Sequence, residues 1–165
     1  MKDYKRSFEF SPISQETGEL SGRVFAFDDT TFADGMQEVI PKGCKVDIDK
    51  NAMLLLSHRK DKMLGRNGHN LSFELKEDGL WFRCKKAATG IYDEALKLVK
   101  EKIIGGVSAG FSARPVYDGE TRKFNKLFVT EISLCGNPAY SSSFVHAREK
   151  NPTLKYKHLP PELFK

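Results

Sequence analysis

A chain of 165 residues, 39% hydrophobic and 30% charged, has the length of one domain around one sizeable core and the composition of a folded protein rather than a disordered tail. Its longest apolar run, Ala52 to Leu56, is far short of the roughly 20 residues that a membrane-spanning helix needs. The net charge of +5 is unevenly spread, −3 over residues 1–50 and +8 over the remainder. The lysines are nevertheless scattered, without the dense basic run or interleaved aromatic stripe that would favour a nucleic-acid partner.

The opening residues, MKDYKRSFEF, lack the apolar centre of a secretion signal, so none is expected. Three cysteines, Cys44, Cys84 and Cys135, form no CxxC pair. Neither a disulfide framework nor a structural zinc site is expected, and the reading is a reducing, cytosolic compartment. No His, Asp and Glu cluster has metal-ligand spacing, so no metal or cofactor is expected.

In chain order, Tyr4–Pro12 and Leu20–Asp28 read as strands around the polar turn SQETGE. Asp28–Met36 (DDTTFADGM) reads as a loop, followed by a short apolar piece, Val39-Ile40, stopped by Pro41. Met53–Leu56 is a continuous apolar run of the kind expected of a strand buried on both faces. Ser57-His58 lie at its end, and the charged stretch Arg59–Lys62 marks an exit to solvent.

A hairpin follows. Leu71, Phe73 and Leu75 alternate with polar residues, Glu77-Asp78-Gly79 turns the chain, and Leu80, Phe82 and Cys84 alternate on the return. Thr89 can cap a helix whose apolar face is Ile91, Ala95, Leu98, Val99 and Ile103. Lys97, Lys100 and Lys102 suit the negative end of its dipole, and Gly105-Gly106 is expected to end it. A second hairpin runs from Val107 to about Tyr117, turns at Asp118-Gly119-Glu120, and returns from about Lys126 to Cys135. The expected organisation is one domain over 1–145 and a mobile tail over 146–165. The fold class is mainly β (α+β), a small β-barrel with one or more packed helices.

Three places could carry chemistry. His58 follows a buried run and precedes a charged loop. It reads either as a strand-end histidine with a satisfied hydrogen bond or as a catalytic group held at a rim. In GGVSAGFS (105–112), Ser108 shares a strand face with Gly110 and Ser112, which leaves little bulk beside its hydroxyl. That space admits a substrate backbone or close packing of another element. The letters G-V-S-A-G match the nucleophile elbow of α/β-hydrolases, but that motif sits in a strand-to-helix turn, and here a helix precedes and a strand follows. In TEISLCGNPAY (130–140), Ile132 and Leu134 take one face, and Glu131, Ser133 and Cys135 the other. A carboxylate there is an edge-strand solubility device or a group meant to meet a partner. The second hairpin would bring Glu131 beside the strand of Ser108, and a serine, an imidazole and a carboxylate are what hydroxyl activation requires. Cys135 reads as a small buried thiol, His69 as a solvated turn residue, and His146 and His158 as histidines without a carboxylate at suitable spacing.

The segments LLLSH (54–58), GGVSAGFS (105–112) and TEISLCGNPAY (130–140) resemble the signature blocks of the prohead (capsid-maturation) proteases of tailed bacteriophages. Their order resembles that family too, as do the spacings of 50 residues from His58 to Ser108 and 23 from Ser108 to Glu131. The surrounding pattern is consistent with the family over about residues 18–145. That family is related to herpesvirus assemblins, whose triad ends in a second histidine where this chain has Glu131. The resemblance implies an assemblin-like barrel and a serine endopeptidase with Ser108 as nucleophile, His58 as general base and Glu131 as the orienting acid. It would process scaffold and major capsid protein segments inside the immature prohead in the host cytoplasm, and it allows self-association. Assemblins place an arginine pair after the third motif. This chain has none there, which leaves the backbone N–H groups of Ala139 and Tyr140 as the corresponding oxyanion donors. The competing reading is a non-catalytic capsid-assembly or scaffold module that captures peptides at a strand edge.

Overall fold

The computed structural model describes residues 2–8, 18–136 and 146–147. Eleven strands and one helix appear among them: β1 (Lys2–Phe8), β2 (Leu20–Ala26), β3 (Thr31–Ala33), β4 (Met36–Val39), β5 (Lys45–Leu56), β6 (Arg59–Arg66), β7 (Leu71–Lys76), β8 (Gly79–Cys84), α1 (Gly90–Lys100), β9 (Gly106–Asp118), β10 (Thr121–Cys135) and β11 (His146–Ala147). The chain is thus mainly β. One sheet has seven strands, with β1-β9-β10-β4-β3 in order and β5 and β6 joined to it through β10; the other has four, in the order β11-β2-β8-β7. Among the described residues, these pairings close neither sheet into a barrel.

Both sheets contribute to one core. Leu20, Val24, Phe25, Leu80 and Phe82 come from the four-stranded sheet, and Leu54, Val107, Phe111, Leu127 and Ile132 from the larger one. The strands Tyr4–Pro12 and Leu20–Asp28, expected as neighbours around a turn, part company: β1 pairs with β9, and β2 pairs with β8. Residues 9–17, which include most of the expected turn, lie outside the described residues. Of the expected tail, only His146 and Ala147 are described, and they pair with Ser21 and Leu20.

Three expectations need correction. Asp28–Met36 is not a plain loop, because Ala33 and Met36 close a two-residue hairpin over Asp34 and Gly35, both at positive φ (53° and 80°). An Asp-Gly pair is suited to such a mirror-image turn. Arg59–Asp61 are exposed as expected, yet the stretch Arg59–Lys62 is the start of β6 rather than a loop, and Met53–Leu56 is the end of a strand of 12 residues. The helix is capped by Thr89 as expected, its side chain accepting from the Tyr92 N–H; Ala95 and Val99 are buried and Ile91 and Leu98 pack against the core as expected, but Tyr92 and Leu96 are buried with them. Ile103 lies beyond its end and is exposed. The helix stops at Glu101, ahead of Gly105-Gly106. Tyr92 is drawn inward because its hydroxyl reaches the carbonyls of Gly18 (2.7 Å) and Cys84 (3.2 Å), and a buried tyrosine needs such partners.

β1 is the edge strand beside β9, and a buried ionic cluster anchors it. Arg6 of β1 and Arg122 of β10 both bind the Glu38 carboxylate of β4, at 2.6 Å (Nε to Oε1) and 3.0 Å (Nη1 to Oε2), and both reach Asp34 in the adjoining turn. Their guanidinium groups lie against the Tyr4 ring, which also packs on Phe111 and Phe124. Such charges are tolerable in a low-dielectric setting only because each is paired.

Candidate active site

β10 runs between β9, antiparallel, and β5, parallel. On β10 the core residues switch parity. Leu127 and Val129 are fully buried in the core, and so are Ile132 and Leu134, although strict alternation would put the second pair on the opposite face. The switch is a one-residue bulge. Val129 faces Phe111 and Glu131 faces Gly110, so Thr130 is the extra residue. The Thr130 hydroxyl donates to the Gly110 carbonyl at 3.2 Å and helps satisfy the disrupted ladder. Bulges of this kind re-aim side chains and are frequent beside active sites. Here the bulge turns Glu131 and Ser133 onto the face away from the core.

That face carries the sequence candidates in rows. Ser133 stands between Leu55 of β5 and Ser108 of β9, and Glu131 stands between Met53 and Gly110. Gly110 matters for its missing side chain: a Cβ there would lie 2.6 Å from Glu131 Cγ and 3.0 Å from Oε1. The Glu131 side chain therefore lies across β9 in space that only glycine leaves. A cleft of about 450 Å³, lined by Asp3, Tyr4, Gly110, Ser112, Thr130 and Glu131, opens beside it.

His58 arrives from the other flank. Leu56 and Arg59 are paired across β5 and β6, so Ser57 and His58 form a two-residue turn. Both are left-handed (φ 54° and 59°), as mirror-image hairpin turns require, a conformation that costs non-glycine residues about 1–2 kcal/mol each. The turn is pinned to β10, where the His58 N–H donates to Ser133 Oγ at 2.6 Å and the Ser57 N–H to the Leu134 carbonyl at 3.0 Å. From it the imidazole meets the carboxylate, Nδ1 to Glu131 Oε1 at 2.9 Å, with side-chain exposures of 29% and 13%. The Nδ1–H tautomer donates to the carboxylate, which leaves Nε2 as the ring's acceptor.

The structure therefore brings His58 and Glu131 into contact and sets Ser108 one strand away from the hydroxyl that holds the His58 backbone. Of the two readings of the small-residue face, room for a substrate or close packing, Ser108 at 3% exposure fits close packing. No hydrogen bond joins it to His58 among the described residues. Ala139 and Tyr140 lie outside those residues. Cys135 is half-buried rather than buried, and His69 is held by Arg66 at 2.8 Å in its turn; His158 is not among the described residues. Thr130 and the Ser57-His58 turn were not recognisable as parts of the site from the sequence, and Gly110 was legible as room beside Ser108 but not as the space that Glu131 takes. Ser133 carried one signal, its parity with Glu131.

The sequence model of a family described as caudovirus prohead serine protease fits residues 6–156. Neither a curated protein nor a solved structure matches.

Proposed function

Since the chain belongs to the caudovirus prohead serine protease family, with a protease role in phage head maturation, we propose that its chemistry is peptide hydrolysis by Ser108, His58 and Glu131. The observation that carries this reading is the His58–Glu131 pair at 2.9 Å, set on the face of β10 that Ser108 shares from β9.

In this reading Glu131 holds the Nδ1–H of His58 and balances the cation that forms on the ring. Nε2 takes the proton of Ser108 Oγ as that oxygen attacks the carbonyl carbon of the scissile peptide. Collapse of the tetrahedral adduct breaks the C–N bond, and His58 returns the proton to the departing amine. Water, deprotonated by the same nitrogen, then releases the acyl group from Ser108. Backbone N–H groups at Ala139 and Tyr140 are the proposed oxyanion donors, and an assemblin-like arrangement of the sheets belongs to the same proposal. The substrates are extended segments of scaffold and major capsid proteins, cut inside the immature shell in the infected host, where self-association could contribute. A serine-to-base contact that closes only when substrate binds is common in free enzymes.

One observation favours the second reading, a non-catalytic scaffold-binding module: Ser108 is buried and not bonded to His58. Fluorophosphonate labelling followed by intact mass separates the two. A single adduct on Ser108, absent from Ser108→Ala, is the expected outcome. No adduct on a folded sample, at low and at high protein concentration, would transfer the conclusion to the binding module.

A further inference from the structure

Ser133 is fully buried, yet it faces away from the hydrophobic core, on the side of β10 that carries Glu131. Its hydroxyl has two partners, and both are backbone groups of the segment leading into His58. It accepts the His58 N–H at 2.6 Å and donates to the Leu55 carbonyl at 3.2 Å. A serine hydroxyl, with one donor and two lone pairs, can satisfy both at once. The bridged segment is the one that must hold two consecutive left-handed residues, Ser57 and His58. The imidazole belongs to the residue whose backbone nitrogen Ser133 grips, while the carboxylate it meets stands two residues away from Ser133 on β10. One length of β10 therefore fixes both ends of the 2.9 Å contact between His58 and Glu131.

We propose that Ser133 is a positioning residue for the base, holding the His58 turn so that the ring meets Glu131 through Nδ1. This rests on the reading of His58 as the base. Removing the hydroxyl leaves the His58 N–H without its partner and frees the turn to relax toward right-handed backbone. Loss of an outer support of this kind typically lowers activity about 10–100-fold.

The test uses the full chain in three forms: wild type, Ser133→Ala, and Ser133→Ala combined with Ser57→Gly. Fluorophosphonate labelling rates are followed by intact mass, and the ring ¹⁵N shifts of His58 by NMR. The expected result is a rate about 10–100-fold lower in Ser133→Ala, with an unchanged circular dichroism spectrum and moved His58 shifts. Glycine adopts positive φ without help, so Ser57→Gly should recover part of the loss. A wild-type rate and wild-type shifts in Ser133→Ala would overturn the proposal, and so would a loss that Ser57→Gly leaves untouched. Absence of labelling on wild type would instead strike the reading of Ser108 as nucleophile. The His58 shifts then decide on Ser133 alone: moved shifts support its role and unmoved ones remove it. Should Ser133→Ala fail to fold, Ser133→Cys, similar in shape but a poor acceptor, is read by the same two measurements.

Discussion

Gly110 and Glu131 stand opposite each other on β9 and β10, and the side chain that one lacks is the space that the other occupies. A methyl group at position 110 would fall 2.6 Å from Glu131 Cγ, closer than real carbon contacts allow. Gly110→Ala should therefore leave the sheet intact and displace the carboxylate from His58. The expected outcome is a native circular dichroism spectrum with a fluorophosphonate labelling rate about 10²-fold lower. An unchanged rate would mean that Glu131 does not orient the base.

A second prediction concerns the anchor of β1. Glu38 has a fully buried side chain between Arg6 and Arg122, whose side chains are 9% and 6% exposed. Glu38→Gln removes the charge that both guanidinium groups are paired with. Breaking a buried ion pair from one side costs about 3–5 kcal/mol. Denaturant unfolding should show a loss of that size, and hydrogen exchange should rise first in β1. A loss below about 1 kcal/mol, the range of exposed pairs, would contradict the assignment.

Acid should act on the same cluster through Asp34. The hydrogen bond from Arg122, and then the charge of Arg6, hold the Asp34 carboxyl below its ordinary value of 3.8. A lowered folded-state value means that the ionised form stabilises the fold. That contribution is complete above the ordinary value and disappears as pH falls through the lowered one. Asp34→Asn should therefore melt below wild type at pH 7. The gap should be small, because this carboxylate is 58% exposed, and it should close in strong acid. A gap that stays constant from neutral to acid pH would count against a charge effect.

The thiols give a simpler test. Burial pushes Cys44 up to about 11 and Cys84 up to about 12, so at pH 8 both are almost wholly protonated and neither is nucleophilic. In native protein, iodoacetamide should leave both unmodified, and both should react in denaturant. Peptide mapping that finds either one alkylated under native conditions would show that the segment around it opens.

Much of this architecture was legible in the residues. The hairpin of β7 and β8 could be read from strict alternation around Asp78-Gly79, and that of β9 and β10 from alternation around Asp118-Gly119, because period and turn chemistry act locally. Thr89 was legible as a cap for the same reason. His58, Ser108 and Glu131 could be singled out as candidates, and the fold brings the first and last together. What escaped was decided at a distance. Tyr92 joins the buried face, with its hydroxyl at the carbonyls of Gly18 and Cys84, while Ile91 packs at its edge. The Ser57-His58 turn has no glycine, asparagine or aspartate to announce it, since bonds from β10 hold it. Leu127, Val129, Ile132 and Leu134 share one face only through the bulge at Thr130, which no alternation pattern contains.

That bulge makes the site a matter of counting. Downstream of residue 130, each side chain's destination, interior or outer face, depends on whether the number of residues passed is odd or even. Thr130 is the residue in excess: without it β10 would alternate as plainly as β9, with Val129, Ile132 and Leu134 inward and Glu131 and Ser133 outward, opposite the same partners. A change of length further along is different, because one residue removed between Glu131 and Ser133 puts those two side chains on opposite faces. A single codon lost at this point would keep every candidate group in the protein and disperse them as a site.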